Sequence, residues 1–360
     1  MTSATLPALS VLDTSPIVQG SMPRQALLNT VDLACLAEDL GYHRYWVPEH
    51  HGMRGVASSA PAVLIAHLAN ATRRLRLGAG GVLLPNHAPL VVAEQFGTLA
   101  ALHPGRIDLG IGRAPGGSKA ASAALRPQRT KDFGVQLDEL RGFLNPPEDA
   151  EVKAIPVLGG NIPELWLLGR SPESAALAAE RGIKYAFAHH LAPDAPARAD
   201  LVSVSVIAAE DDERAEWLAG STRLKVLSRL RGNRIRLPSP EEAAAFPYTA
   251  DDRAEIAKRS GAVLTGSPET LVPKLQRILD ETGTAEIMVT TPLFHHADRR
   301  RSYELLASLP GRLTARSNMS SSSASVFALC CSNQLRAASA SLDAVAIWPI
   351  AMISDGRSVK

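Results

Sequence analysis

Three pairs of adjacent histidines, His50-His51, His189-His190 and His295-His296, account for six of the ten histidines in this 360-residue chain. Imidazole titrates near neutrality, so a histidine in the mouth of a pocket is a natural general acid or base. Each pair follows a short apolar run that reads as a strand, and a random scatter would not share such positions. The first pair also follows a carboxylate, in Glu49-His50-His51. Neighbouring side chains on an extended segment point to opposite sides, so the two rings cannot easily ligate one metal ion. One ring is then free for acid–base work, with Glu49, His50 and His51 as catalytic candidates. The alternative is a histidine merely satisfied by Glu49.

A second set of residues suits a flat, anionic ligand. Gly80-Gly81 lets a backbone approach something flat or take an unusual dihedral, or is a plain strand-end turn. Gly110-Ile111-Gly112-Arg113-Ala114-Pro115-Gly116-Gly117 spaces its glycines loosely like a nucleotide loop. A dinucleotide fingerprint needs a helix to begin there, and none obviously does. Gly112 and Arg113 stay as candidates, Arg113 as a clamp on phosphate or carbonyl or as a solvated side chain. Gly169-Arg170-Ser171-Pro172-Glu173-Ser174 puts hydroxyls, an arginine and free amides at a helix start, which suits a phosphate unless Ser171 simply caps the helix. The run Gly266-Ser267-Pro268-Glu269-Thr270 reads as ordinary capping, and Asp211-Asp212-Glu213 and Arg299-Arg300-Arg301 read as solvated surface.

The elements that must hold these residues alternate. Apolar runs near residues 8–12, 42–48, 75–79, 107–111, 165–168, 185–188, 201–207 and 285–289 predict eight strands. Helical patterns separate most of them, at about 24–40, 58–72, 90–102 and 131–143, with Ser58-Ser59 as a cap and Gly41 as a stop. Strands alternating with helices demand right-handed crossovers and a parallel sheet, and eight of them favour a closed (β/α)8 TIM barrel over an open doubly wound sheet. In both, chemistry collects where strands end. Two stretches, 191–200 and the tail after about residue 315, do not fit. Residues 191–200 are too short for a usual crossover helix, so the sixth helix is missing or a strand is misplaced. Residues 211–283 read as an irregular helical excursion before the last strand, over the barrel mouth. A TIM-barrel domain over 1–315 and a Ser-rich linker and tail over 316–360 complete the expected organisation.

Bulk composition excludes several classes. The chain is 46% hydrophobic and 21% charged, with a net charge of +2, and its aromatic content is 4%. That is a globular composition without the basic footprint or stacking rings of a nucleic-acid binder. Three cysteines make neither a disulfide framework nor a metal quartet. No signal peptide or membrane-length apolar run is evident, so a cytoplasmic location is expected.

The motifs taken together resemble the bacterial luciferase-like flavin monooxygenase family. The matching pieces are Trp46-Val47-Pro48-Glu49-His50-His51, Gly80-Gly81-Val82-Leu83-Leu84-Pro85-Asn86-His87-Ala88-Pro89, Ala93-Glu94-Gln95 leading to Leu102-His103-Pro104-Gly105-Arg106, Gly110-Ile111-Gly112-Arg113, and Trp166-Leu167-Leu168-Gly169. The resemblance covers about residues 8–310. It implies a TIM barrel that takes reduced FMN from a separate reductase, activates O2 through a flavin C4a-hydroperoxide and oxidises a small organic substrate such as an aldehyde. It also implies a homodimer. By position, His50 matches the family's catalytic histidine and Glu49 a carboxylate beside the flavin. Gly80 and Gly81 match a non-proline cis peptide under the isoalloxazine ring, Arg113 a phosphate-binding arginine, and Ser171 and Ser174 hydroxyls near the phosphate. Arg170 departs from the smaller or acidic residue more usual there, and the tail has no counterpart. Related barrels use the deazaflavin F420 for hydride transfer, or hold flavin without turnover. Those are the two competing expectations.

Overall fold

The computed structural model describes residues 4–5, 7–114, 116–125, 132–194, 197–258 and 263–316. Eight parallel strands close into a barrel: β1 Ala8–Leu12, β2 Arg44–Val47, β3 Arg76–Leu83, β4 Ile107–Gly112, β5 Glu164–Gly169, β6 Lys184–Phe187, β7 Leu201–Ala208 and β8 Glu286–Thr290. Each pairs with its sequence neighbour, and β8 closes the ring by pairing with both β7 and β1. The closed barrel, not the open sheet, is the fold. Alternation along each strand decides its two faces. Leu9, Val11, Tyr45, Val47, Leu77, Leu109, Leu167 and Val204 join the core between barrel and helices. Leu12, Trp46, Trp166, Ala186 and Met288 form a separate cluster.

The helices are α1 Pro23–Asp39, α2 Pro61–Ala71, α3 Pro89–Leu102, α4 Lys119–Ala124, α5 Phe133–Leu144, α6 Pro172–Glu180, α7 Asp212–Leu230, α8 Pro240–Ala245, α9 Ala250–Ala257, α10 Pro268–Thr282 and α11 His296–Ala307. Six begin on a proline, which loses nothing by lacking an N–H where no intrahelical acceptor exists. Gly41 stops α1 with φ 78°, as its sequence position suggests. The Ser58-Ser59 cap is a correction: Ala60 is the N-cap of α2, and the Ser58 hydroxyl donates instead to the Pro48 carbonyl at 2.5 Å. Between β6 and β7, the described residues of the 188–200 stretch hold only a 3-10 turn, His189–Leu191. The strands there are as expected, and it is the helix that is absent.

The expected excursion is built from α7, α8, α9 and a short strand, Leu264–Gly266, which extends the sheet beside β7. It reaches the segments that follow the next two strands of the ring. The Thr222 hydroxyl donates to the Pro292 carbonyl at 3.0 Å beyond β8, and the Gln19 amide donates to the Leu237 carbonyl at 2.9 Å beyond β1. The expected linker and tail, apart from Arg316, lie outside the described residues.

The barrel floor is ionic. Arg44 reaches Asp108 at 2.9 Å, Glu164 at 2.8 Å and Glu286 at 2.8 Å, while Arg76 meets Asp108 and Glu164, and Lys184 meets Glu164. The Trp46 indole donates to Asp108 at 2.9 Å, and the Arg44 guanidinium lies 4.7 Å from the centre of the Trp166 ring. Burial would raise the Glu164 carboxyl, but Lys184 and Arg44 outweigh it and hold it at about 2. These charges plug the strands' starting end.

Candidate active site

The catalytic candidates stand just past β2. Glu49 is 2% exposed, and its carboxylate has three partners: His51 Nε2 at 2.6 Å, His87 Nε2 at 2.8 Å and the Leu83 amide, which donates at 3.0 Å. Burial would raise this carboxyl, yet the hydrogen bonds from His87, His51 and Leu83 win and lower it. The ring that Glu49 satisfies is therefore His51, not His50. The His50 amide donates to the Ser58 carbonyl at 3.0 Å, which closes the loop, while its Nδ1 is buried without a partner among the described residues. Burial, and then the neighbouring His51, push the His50 imidazole below its ordinary value. It is neutral at pH 7 and able to take a proton.

His87 was not singled out from the sequence for a role of its own. Its only signal is its place in Asn86-His87-Ala88-Pro89, on a loop between a strand end and a proline-started helix. The Glu49 carboxylate joins this loop to the one carrying His50.

Gly80 and Gly81 lie inside β3 rather than after it, and the peptide bond between them is cis, at the position the resemblance indicates. Sheet register shifts here, between Ala79 and Val82 against β4. Both glycines answer to their neighbours: a Cβ on Gly81 would stand 2.6 Å from the Gly110 carbonyl oxygen, and one on Gly80 2.8 Å from Leu12 Cδ1. Gly112 is different, since its nearest contact would be Leu83 Cδ2 at 3.4 Å. Space at the end of β4 is left open.

The start of α6 is partly self-satisfied: the Ser174 and Ala175 amides donate to the Ser171 carbonyl at 3.1 and 3.2 Å. Ser171 is the N-cap residue, but its side chain caps no amide; its Oγ lies 3.0 Å from Ser174 Oγ, and Ser174 donates to the Ser171 carbonyl at 3.0 Å. Ordinary capping by Ser171 is thus set aside. Ser174 packs into the space left by Gly169, where a Cβ would stand 2.3 Å from Ser174 Oγ. Arg113 and Arg170 are exposed. The Glu173 carboxyl is lowered by the Ser171 hydroxyl, by its own amide and, further off, by Arg113, so the loop after β4 and the start of α6 share one field. Two hydroxyls and a nearby arginine at a helix start are groups that suit a phosphate.

The other histidine pairs do not join this site. His189 packs edge-on against Phe187, and His296 lies 2.7 Å from Asp32 of α1. His190 Nδ1 lies 3.0 Å from the Ser203 hydroxyl of β7, and burial holds its imidazole down at about 4. The reading of Arg299-Arg300-Arg301 as solvated surface is corrected at Arg299, which is 3% exposed and paired with Asp13 at 2.5 Å. Of the acidic run, Asp211 caps α7 through the Arg214 amide, and Asp212 accepts from the Ser267 amide at 2.7 Å.

A profile of luciferase-like monooxygenases matches residues 9–286. A luciferase-like monooxygenase of Escherichia coli strain K12 is 41% identical over 327 residues, covering 85% of this chain and 97% of that protein. The N-acetyl-S-alkylcysteine monooxygenase of Bacillus subtilis is 34% identical over 325 residues, covering 83% and 97%. Among solved structures, apo-MsnO8 superposes with a TM-score of 0.79 at 37% identity, covering 86% of this chain and 99% of that one. Two remoter structures share the fold. The oxygenating constituent of 3,6-diketocamphane monooxygenase from Pseudomonas putida, in complex with FMN, has a TM-score of 0.64 at 21% identity, covering 86% and 99%. An F420-dependent secondary alcohol dehydrogenase has 0.55 at 13%, covering 84% and 98%. Sequence over most of its length and the closed barrel agree: this chain belongs to the luciferase-like monooxygenase family.

Proposed function

We propose that the protein is the oxygenating component of a two-component, FMN-dependent monooxygenase. The observation that carries this reading is the donor set at the start of α6, with Ser171 uncommitted to capping, Ser174 beside it and Arg113 near. It suits the phosphate of FMN, and the FMN-bound relative of the same fold supports the choice. The F420-bound relative keeps the deazaflavin as the competing reading. Reduced FMN, when bound, supplies the electrons that activate O2 for insertion of one oxygen atom into a small organic substrate.

The chain's own residues have four tasks in this reading. Arg113, Ser171 and Ser174 hold the phosphate, with Gly169 leaving Ser174 its space and Arg170 adding positive charge. Gly80, Gly81 and Gly112 line the path of the ring system. His50, neutral and without a partner at Nδ1, moves a proton to or from the reacting centre. Glu49 fixes the β2 loop by holding His51 and His87, so these act by positioning. The excursion over the mouth limits water, which guards the reactive state against wasteful peroxide release. A flavin reductase as electron donor, a cytoplasmic setting and a homodimer belong to the same proposal. Among the described residues, no helix is long and apolar enough to cross a membrane.

The deciding experiment mixes the protein, loaded with reduced FMN, with oxygenated buffer in a stopped-flow spectrometer. Reoxidation much slower than that of free reduced FMN is expected. Reoxidation at the free rate rejects the reading, and reduction of F420 by secondary alcohols would replace it. Arg113→Ala should weaken FMN binding by about tenfold or more while riboflavin binding changes little, consistent with loss of one charge-assisted contact worth about 1.5–3 kcal/mol.

A further inference from the structure

A lysine of the excursion stands beside the loop after β2. Lys225, on α7, is half-buried, and among the described residues it makes no hydrogen bond or ion pair. Its Nζ stands 3.8 Å from where a Cβ on Gly55 would be, in the loop that begins with Glu49-His50-His51 and closes at Ser58. The helix turns this side to the rim. Ala215, Leu218 and Ala219 pack with Ile207 of β7 and Leu293 beyond β8, Thr222 donates to Pro292, and the next turns carry Lys225 and Arg229 along the same side. Burial first, and then the Arg229 charge, lower the ammonium's pKa; no carboxylate is among the groups that act on it. A cation removed from water beside a second cation is destabilising unless an anion arrives.

We propose that Lys225 is the anchor for an acidic substrate, one carrying a carboxylate or sulfonate, and so sets the substrate class of this mouth. The inference rests on the proposed oxygenase reading for what happens to that substrate, but not for its binding. The phosphate donors lie beyond β4 and β5, whereas Lys225 overlies the loop after β2, so the two positive points belong to different parts of the rim. A bound acid would pair with Lys225 beside the loop that carries His50.

The test is isothermal titration of the full-length protein with octanoate, octane-1-sulfonate and octanamide, with and without FMN. The wild type is expected to bind both anions at least tenfold more tightly than the amide. Lys225→Gln should abolish that preference, and Lys225→Arg should keep most of it. Lys225→Gln should also melt at the same or a higher temperature, because an unpaired half-buried charge is lost; a structural lysine would show a lower Tm. Equal binding of octanoate and octanamide, binding of neither, or an unchanged preference in Lys225→Gln overturns the proposal. FMN affinity, read in parallel by flavin fluorescence, is expected to be unchanged in Lys225→Gln. A tenfold loss there would give Lys225 to the cofactor's phosphate and overturn the substrate assignment. Anion preference in a wild type that binds no FMN would sink the oxygenase reading alone and leave the anion site standing.

Discussion

His50 and His51 are neighbours in sequence with separate fates, because one ring turns to the Glu49 carboxylate and the other does not. The dipeptide was legible as a site, but which ring Glu49 takes depends on side-chain geometry that no spacing encodes. His50→Ala is therefore expected to cut substrate oxidation by roughly 10²–10⁴-fold while FMN binding persists; an unchanged turnover number would remove the acid–base role. Its wild-type rate should hold on the acid side to below the ordinary imidazole value near 6.5, since burial lowers His50. His190 carries a stability consequence. Its imidazole titrates near 4 when folded and about 6.5 when unfolded, so the unfolded chain binds the extra proton. Stability is then full above about pH 6.5 and falls as the pH drops towards 4, by up to about 3 kcal/mol. Urea unfolding of His190→Gln across this window should show a flatter acid limb than the wild type; parallel limbs would exclude the effect.

Helix starts were easy to read because proline marks so many of them, and strand cores because their apolar alternation is strong. Strand ends were harder. β3 runs on through Gly80 and Gly81, since glycine, a weak strand former, is accepted where two backbones crowd together. Helix α4 was missed, being short and set among small residues with little periodicity. The glycines of β4 make a paired test. A Cβ on Gly110 would stand 2.1 Å from the Ala79 carbonyl oxygen, a backbone atom that cannot swing aside, whereas Gly112 has room. Gly110→Ala should cost about 3 kcal/mol or more in urea unfolding, and Gly112→Ala less than about 1 kcal/mol. Equal costs would show that crowding is not what selects glycine at 110.

In the barrel unit, a network of paired charges is concentrated at one end of the interior. Arg44, Arg76 and Lys184 with Asp108, Glu164 and Glu286 occupy the floor, where no sequence separation hints that residues 44, 108 and 286 meet. Asp108→Ala would leave Arg44, Arg76 and the Trp46 indole short of an acceptor, and a loss of about 3–5 kcal/mol is expected in denaturant unfolding. A loss under about 1 kcal/mol would mean that the floor relaxes around water. We also propose that the barrel unit ending at Ser317 suffices for flavin binding, so a chain truncated there should retain the FMN affinity of the full length. The ring has one thin place. Between β6 and β7 the described crossover offers a single 3-10 turn, where other strands are backed by a full helix. Backbone amides exchange with deuterium through local openings when little packing must be undone, so Lys184–Phe187 should label sooner than β2 or β4 and report the first segment of the wall to yield.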